Sequence, residues 1–251
     1  MNKISYLRRI GVENGDIAPT LENLKLLQKQ HLLNVPFENL DIHWERLILL
    51  DVGKFYEKIV GEKRGGFCYE LNGLFSELLK EIGYGAKIVS ARVSNGKDFG
   101  AEYDHLAILT EIGGEEFLVD VGFGDFTAEP LRFILDEEQQ DATGIFKITK
   151  YDDYFEVFKK HCNGWKSEYI FKNLKRDLPE FAGMCKFHQT SPESHFTRGK
   201  VCSVMTNEGR VTLTDKKFIE TTKSLKNETD INSEAEFYQI LERKFEIHKA
   251  F

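Results

Sequence analysis

The chain has few cysteines, no long apolar run and no excess of positive charge. Four cysteines in 251 residues, Cys68, Cys162, Cys185 and Cys202, lie far apart and fit no disulfide framework. The expected setting is therefore reducing and cytoplasmic. Met1 leads straight into Asn2-Lys3-Ile4-Ser5-Tyr6-Leu7-Arg8-Arg9, which lacks the apolar core of a secretory signal, and no run is long enough to span a bilayer. Lysine and arginine number 34 against 41 acidic residues, a net charge of −7. That balance argues against a nucleic-acid backbone or an anionic membrane as partner. There is no repeat and no low-complexity tract. With 41% hydrophobic and 30% charged residues, a packed core is expected, in one large domain or two to three lobes that share it.

After Cys68 the apolar residues fall at Leu71, Leu74, Phe75, Leu78, Leu79 and Ile82, the spacing of a core-facing helix, which Gly83 stops. Gly65-Gly66 ahead of it forms an elbow able to approach a ligand closely. Cys68 then sits in the first helical turn, where unpaired N–H groups favour an anion and lower a thiol pKa. Two readings are open: an activated nucleophile, or a small buried core residue.

From Lys87 the apolar period changes to two. Lys87 to Val93 is expected to be a strand, and 105–110 and 116–121 a hairpin around Gly113-Gly114. With that turn, facing residues sum to 227, so Ala107 faces Asp120. His105 shares the face and lies diagonal to Asp120, within side-chain reach. A histidine and an aspartate on an apolar face must satisfy each other, as a structural pair or a catalytic one.

Elsewhere Thr20 caps a helix over 21–34, Asp51 caps another, and Ser233 with Glu236 forms a capping box for a last one. Residues 35–40 are expected to be an ordered loop. There Glu38 and Asn39 are either solvated or partnered by Arg64 and Asn72. Strand-like runs near 145–149, 154–159 and 165–171 suggest a barrel or curved sheet. A helix over 177–189 and a hairpin over 201–214 follow. Cys185, His188, His195 and Cys202 have metal-ligand chemistry but no compact zinc spacing, so no metal is expected. Gly122-Phe123-Gly124 can form a turn whose N–H groups face a pyrophosphate.

Cysteine, histidine and aspartate together are the parts of a nucleophilic triad, in the order Cys68, His105, Asp120. The segment Arg64-Gly65-Gly66-Phe67-Cys68-Tyr69-Glu70-Leu71-Asn72-Gly73 resembles the RGGxCxExNxxF signature of the arylamine N-acetyltransferases. The blocks 35–41, His105-Leu106, 119–124 and 191–196 resemble that family too, in its order, so the similarity runs from about residue 6 to 200.

This resemblance implies an α+β enzyme with a cysteine-protease-like Cys-His-Asp core. Its parts would be an N-terminal helical bundle (residues 1–85, with the cysteine), a β-barrel (86–190, with His105 and Asp120) and a C-terminal α/β lid (191–251). It implies acetyl-CoA as donor, arylamines, arylhydrazines or arylhydroxylamines as acceptors, and ping-pong transfer through acetylated Cys68. Gly122 and Gly124 would lie near CoA, and Phe37, Tyr69 and Phe123 are candidates to line an acceptor pocket. Where the family often has Thr-Gly or similar small residues before its histidine, this chain has Ala101-Glu102-Tyr103-Asp104, so no CoA contact is carried over to that segment. A cysteine hydrolase or transglutaminase-like enzyme uses the same residue order, and a silent binding protein is a third possibility.

Overall fold

The computed structural model describes residues 1–222 and 225–249. Its centre is the helix that begins at Cys68. Seven α-helices are described: α1 (Lys3–Arg9), α2 (Leu21–Asn34), α3 (Leu40–His43), α4 (Val52–Tyr56), α5 (Cys68–Ile82), α6 (Ala182–Thr190) and α7 (Glu234–Phe245). The caps act as the sequence implies: Thr20, Asp51 and Ser233 accept N–H bonds at the starts of α2, α4 and α7. Helix α5 ends at Gly83, whose N–H bonds Leu79 O. It is buried on nearly every side, polar Glu70, Asn72 and Ser76 included.

Two antiparallel sheets surround this helix. One contains β2 (Lys87–Val93), β3 (His105–Ile112), β4 (Glu115–Val119), β5 (Leu131–Arg132), β6 (Gln139–Asp141), β7 (Gly144–Tyr151), β8 (Tyr154–His161) and β9 (Gly164–Phe171), in the order β5-β4-β3-β2-β9-β8-β7-β6. Its edge strands meet through Gln139, whose amide accepts from Arg132 N–H at 2.7 Å and donates to Arg132 O at 2.8 Å. The sheet is thereby nearly a closed barrel.

Strand alternation divides the core. Ala107, Leu109, Leu118 and Tyr169 pack inside the barrel, while Leu106, Ile108 and Val119 face outward onto α5. The β3–β4 hairpin has the register implied by Gly113-Gly114, with Ile108 opposite Val119, and both glycines have positive φ, as a tight primed turn requires.

The second sheet runs β1 (Phe37–Glu38), β10 (Val201–Met205), β11 (Gly209–Thr214), β12 (Lys217–Thr222) and β13 (Lys226–Asp230). Helix α7 covers it through Phe237, Leu241 and Phe245. Residues 35–40 are thus not the loop expected: Phe37 and Glu38 pair with Ser203 and Cys202. The last two strands were not foreseen, because β13 is entirely exposed and its charges, including a Lys217–Glu228 ion pair, suit a protected sheet edge rather than a buried face.

One buried group sets an acid limit on stability. His31 lies fully buried between Tyr6 and Phe75, and neither ring nitrogen has a hydrogen-bond partner among the described residues. Burial, then the charge of Arg9, pushes its imidazole from 6.5 down to about 3. The unfolded chain therefore binds a proton that the folded chain refuses. The folded state is penalised progressively as pH falls from about 6.5 toward 3. Lowering pH to 5 is expected to cost about 2 kcal/mol through His31 alone. Urea titrations of His31→Phe should show that part of the pH slope removed; an unchanged slope would exclude His31 as its source.

Candidate active site

Cys68 is the first residue of α5, and only 3% exposed. The elbow before it serves the fold rather than a ligand. A Cβ on Gly65 would lie 1.9 Å from Pro36 O, while Glu38 N–H bonds Gly66 O at 2.9 Å. The helix start is also partly satisfied already: Glu70 accepts the Phe67 N–H at 3.1 Å. Beneath it lies a buried charge cluster. Arg64 reaches Glu38 at 2.7 Å and Asp41 at 2.9 Å, and Lys58 reaches Asp41 at 2.8 Å and Glu70 at 2.9 Å. Three carboxyls face two cations, and burial, only partly offset by Lys58, pushes Glu70 up to about 7. Of the expected partners for Glu38 and Asn39, Arg64 takes Glu38, whereas Asn39 bonds the 196–201 segment. Breaking such a cluster leaves an uncompensated charge, at a cost of about 3–5 kcal/mol.

Asn72 is committed to the next part of the site, a role the sequence did not reveal. Its amide donates to Asp120 Oδ1 at 2.8 Å and to Leu106 O at 2.6 Å, and its carbonyl accepts Val121 N–H at 2.8 Å. One side chain of α5 thus locks the helix to β3 and to the end of β4. Asp120 accepts three further bonds, from His105 Nε2 at 2.7 Å, Tyr169 OH at 3.2 Å and Gly122 N–H at 2.9 Å. Burial and then the neighbouring Asp120 push Tyr169 well up, so it remains a donor. His105 begins β3 on the barrel face, as the register implies, and its Nε2 is taken by the carboxylate, leaving Nδ1 as the other ring nitrogen.

Cys68 and His105 open onto one cavity of about 280 Å³, walled by Phe37, Val93, Phe123, Phe196 and Val201, with Asp104, Gly122 and His195 also at its surface. Phe123 stands edge-on to His105, with ring centroids 5.1 Å apart. Gly122 must be glycine here, since a Cβ would come within 2.8 Å of Cys68 Cα.

The thiol itself runs against expectation. Burial pushes Cys68 well above its ordinary range and Asp104 and Asp120 add to this, while only the Leu106 N–H acts the other way. Position at a helix start does not outweigh removal from water.

Three other expectations need correction. Tyr69 does not line the cavity: it is 0% exposed, and its hydroxyl donates to Tyr103 O at 2.7 Å within a cluster of Phe67 and Phe181. It extends from α5 toward the core instead. The Gly122 N–H is spent on Asp120, so it is not free for a phosphate. Gly124 lies outside this cavity, and its carbonyl accepts from Arg210 at 2.6 Å. Beyond it is a second cavity, of about 270 Å³, lined by Lys29, Lys159 and Arg210 with Asp125 and Glu208. Of the residues of metal-ligand type, Cys185 packs in the α5 core and Cys202 under α7, and no group of three or more that could hold a metal is found among the described residues. Nor is any described helix long and apolar enough to cross a membrane.

Comparison with known proteins agrees with the geometry. A family model described as N-acetyltransferase matches residues 20–250, which carries the likeness through the C-terminal sheet rather than ending it near residue 200. A pineal gland isozyme of arylamine N-acetyltransferase from Gallus gallus is 31% identical over 92% of this chain and 87% of its own length. The arylamine N-acetyltransferase of Escherichia coli strain K12 is 31% identical over 84% and 75%. Among solved structures, the M. smegmatis enzyme superposes with a TM-score of 0.92 at 27% identity, covering 99% of this chain and 93% of that one. The Mycobacterium marinum enzyme, solved in complex with CoA, gives 0.90 at 28% identity over 98% and 93%. A helix-start cysteine and a strand histidine share one cavity on a fold that these proteins also have, and the chain belongs to the arylamine N-acetyltransferase family, a family of acyltransferase enzymes.

Proposed function

We propose that this protein transfers an acetyl group from acetyl-CoA to the nitrogen, or oxygen, of small arylamines, arylhydrazines and arylhydroxylamines, through an acetyl-Cys68 thioester. The observation that carries this is a thiol and an imidazole at one apolar cavity, with a carboxylate bonded behind the imidazole. The thiol rests protonated. His105 takes its proton on Nδ1 as sulfur attacks the acetyl carbonyl, and Asp120 stabilises the imidazolium. The CoA sulfur leaves with that proton. The acceptor amine then attacks the thioester, gives its proton to His105, and Cys68 is restored as the thiol.

The cavity of about 280 Å³ suits a single aromatic ring, since about 150 Å³ already admits benzene. Phe37 and Phe123 are its acceptor-facing aromatics. The M. marinum relative binds CoA, and in this chain Lys29, Lys159 and Arg210 beyond Gly124 offer the charge to meet its phosphates. The helical part to residue 85, the barrel to 190 and the C-terminal part from 191 would then each give one wall of the cleft.

The test is intact mass after mixing with acetyl-CoA alone. One acetyl group on Cys68, discharged on adding an arylamine, is the expected result. Acetyl-CoA consumption that proceeds equally without any amine would instead favour a hydrolase.

A further inference from the structure

Asp104, the residue before His105, lines the same cavity as Cys68 and Phe123. Its carboxylate Oδ2 accepts Val93 N–H at 3.3 Å, and Oδ1 lies 3.2 Å from Nε2 of buried His188. His188 Nδ1 lies 3.2 Å from Ser194 Oγ, which accepts the Phe196 N–H at 3.2 Å, and His188 Nε2 lies 3.3 Å from the Asp104 backbone carbonyl. The Asp104 side chain nevertheless stays 18% exposed, and each oxygen retains acceptor capacity.

The basic side chain against this carboxylate is His188, which does not itself line the cavity. No lysine or arginine lines the cavity among the described residues. His195 is held below the ordinary imidazole range by burial and then by His188. Asp120, behind His105, is consumed by four donors. A ligand in the cavity therefore meets one fixed carboxylate in a largely apolar, weakly screening wall.

We propose that Asp104 selects the acceptor, favouring single-ring aromatic amines whose second substituent is cationic and disfavouring those that carry a carboxylate. The proposal rests on the acetyltransferase reading above. Opposite charges attract strongly across such a wall, and like charges repel as strongly.

The test compares kcat/KM for (4-aminophenyl)trimethylammonium, 4-methylaniline and 4-aminobenzoate in the native enzyme and in Asp104→Asn. The asparagine can still accept from Val93, and His188 keeps the backbone carbonyl of residue 104. The cation-to-carboxylate ratio of kcat/KM is expected to fall at least tenfold in the variant, each value taken relative to 4-methylaniline in the same protein. Should the variant not fold, the native enzyme still decides: phenyltrimethylammonium should compete with 4-methylaniline at least tenfold more tightly than benzoate. An unchanged ratio, or benzoate binding as tightly as the cation, overturns the proposal while 4-methylaniline is still acetylated. Failure to acetylate Cys68 or 4-methylaniline at all would overturn the acetyltransferase reading, and this proposal with it.

Discussion

Cys68→Ser is expected to fold normally and to lose acetyl transfer. The site is buried, and serine is slightly smaller than cysteine, so the side chain fits without repacking. Stability should change by no more than about 1 kcal/mol. Chemistry is another matter. Burial pushes the native thiol up, and in the proposed mechanism His105 removes its proton during attack. A hydroxyl is much harder to deprotonate and, once buried, harder still. The expected loss in kcat/KM is at least about 10⁴-fold, the scale at which nucleophile removal acts elsewhere. Mass spectrometry should show no acetyl-enzyme, with thermal unfolding unchanged. A variant that still turned over at a tenth of the native rate would remove Cys68 from the mechanism.

Asp120→Asn should be nearly as damaging, for a reason specific to its four donors. Oδ1 receives Asn72 and Gly122, both obligate donors, so the asparagine carbonyl must take that place. The new amide then faces His105 Nε2 and Tyr169 OH, at the positions now 2.7 and 3.2 Å from Oδ2. Tyrosine can turn its proton away. The imidazole can respond only by becoming the Nδ1–H tautomer, which has no lone pair for the thiol proton. Geometry survives while the base is disabled, and a fall of about 10⁴-fold in the acetylation rate is expected. Rapid-quench measurement of acetyl-Cys68 formation reads this step directly. A loss below about tenfold would show that the carboxylate holds the ring in place without tuning it.

Several parts of this site were legible in the sequence. The helix after Cys68 follows from apolar spacing over fifteen residues ending at a glycine, and local periodicity is enough to state it. The diagonal placing of His105 beside Asp120 follows from a two-glycine turn, because a hairpin register is a local property. Other parts were not legible. Asn72 meets Asp120 across 48 residues, and nothing in either segment encodes the other. Phe37 and Glu38 read as loop because their strand partners, Ser203 and Cys202, come from the far end of the chain. Tyr69 was placed at the pocket by its position next to Cys68, yet adjacent helical residues point in different directions, and it packs into the core.

What the sequence determined by itself was therefore the set of candidate groups, Cys68, His105 and Asp120, and the order in which elements carry them, since both depend on short-range pattern. Only the tertiary structure decided their state. It buried the thiol and so raised rather than lowered its pKa, spent the Gly122 N–H on Asp120, and set Asp104 at the wall of the cavity. Desolvation and hydrogen-bond partnership are properties of the packed neighbourhood, and no stretch of chain carries them alone.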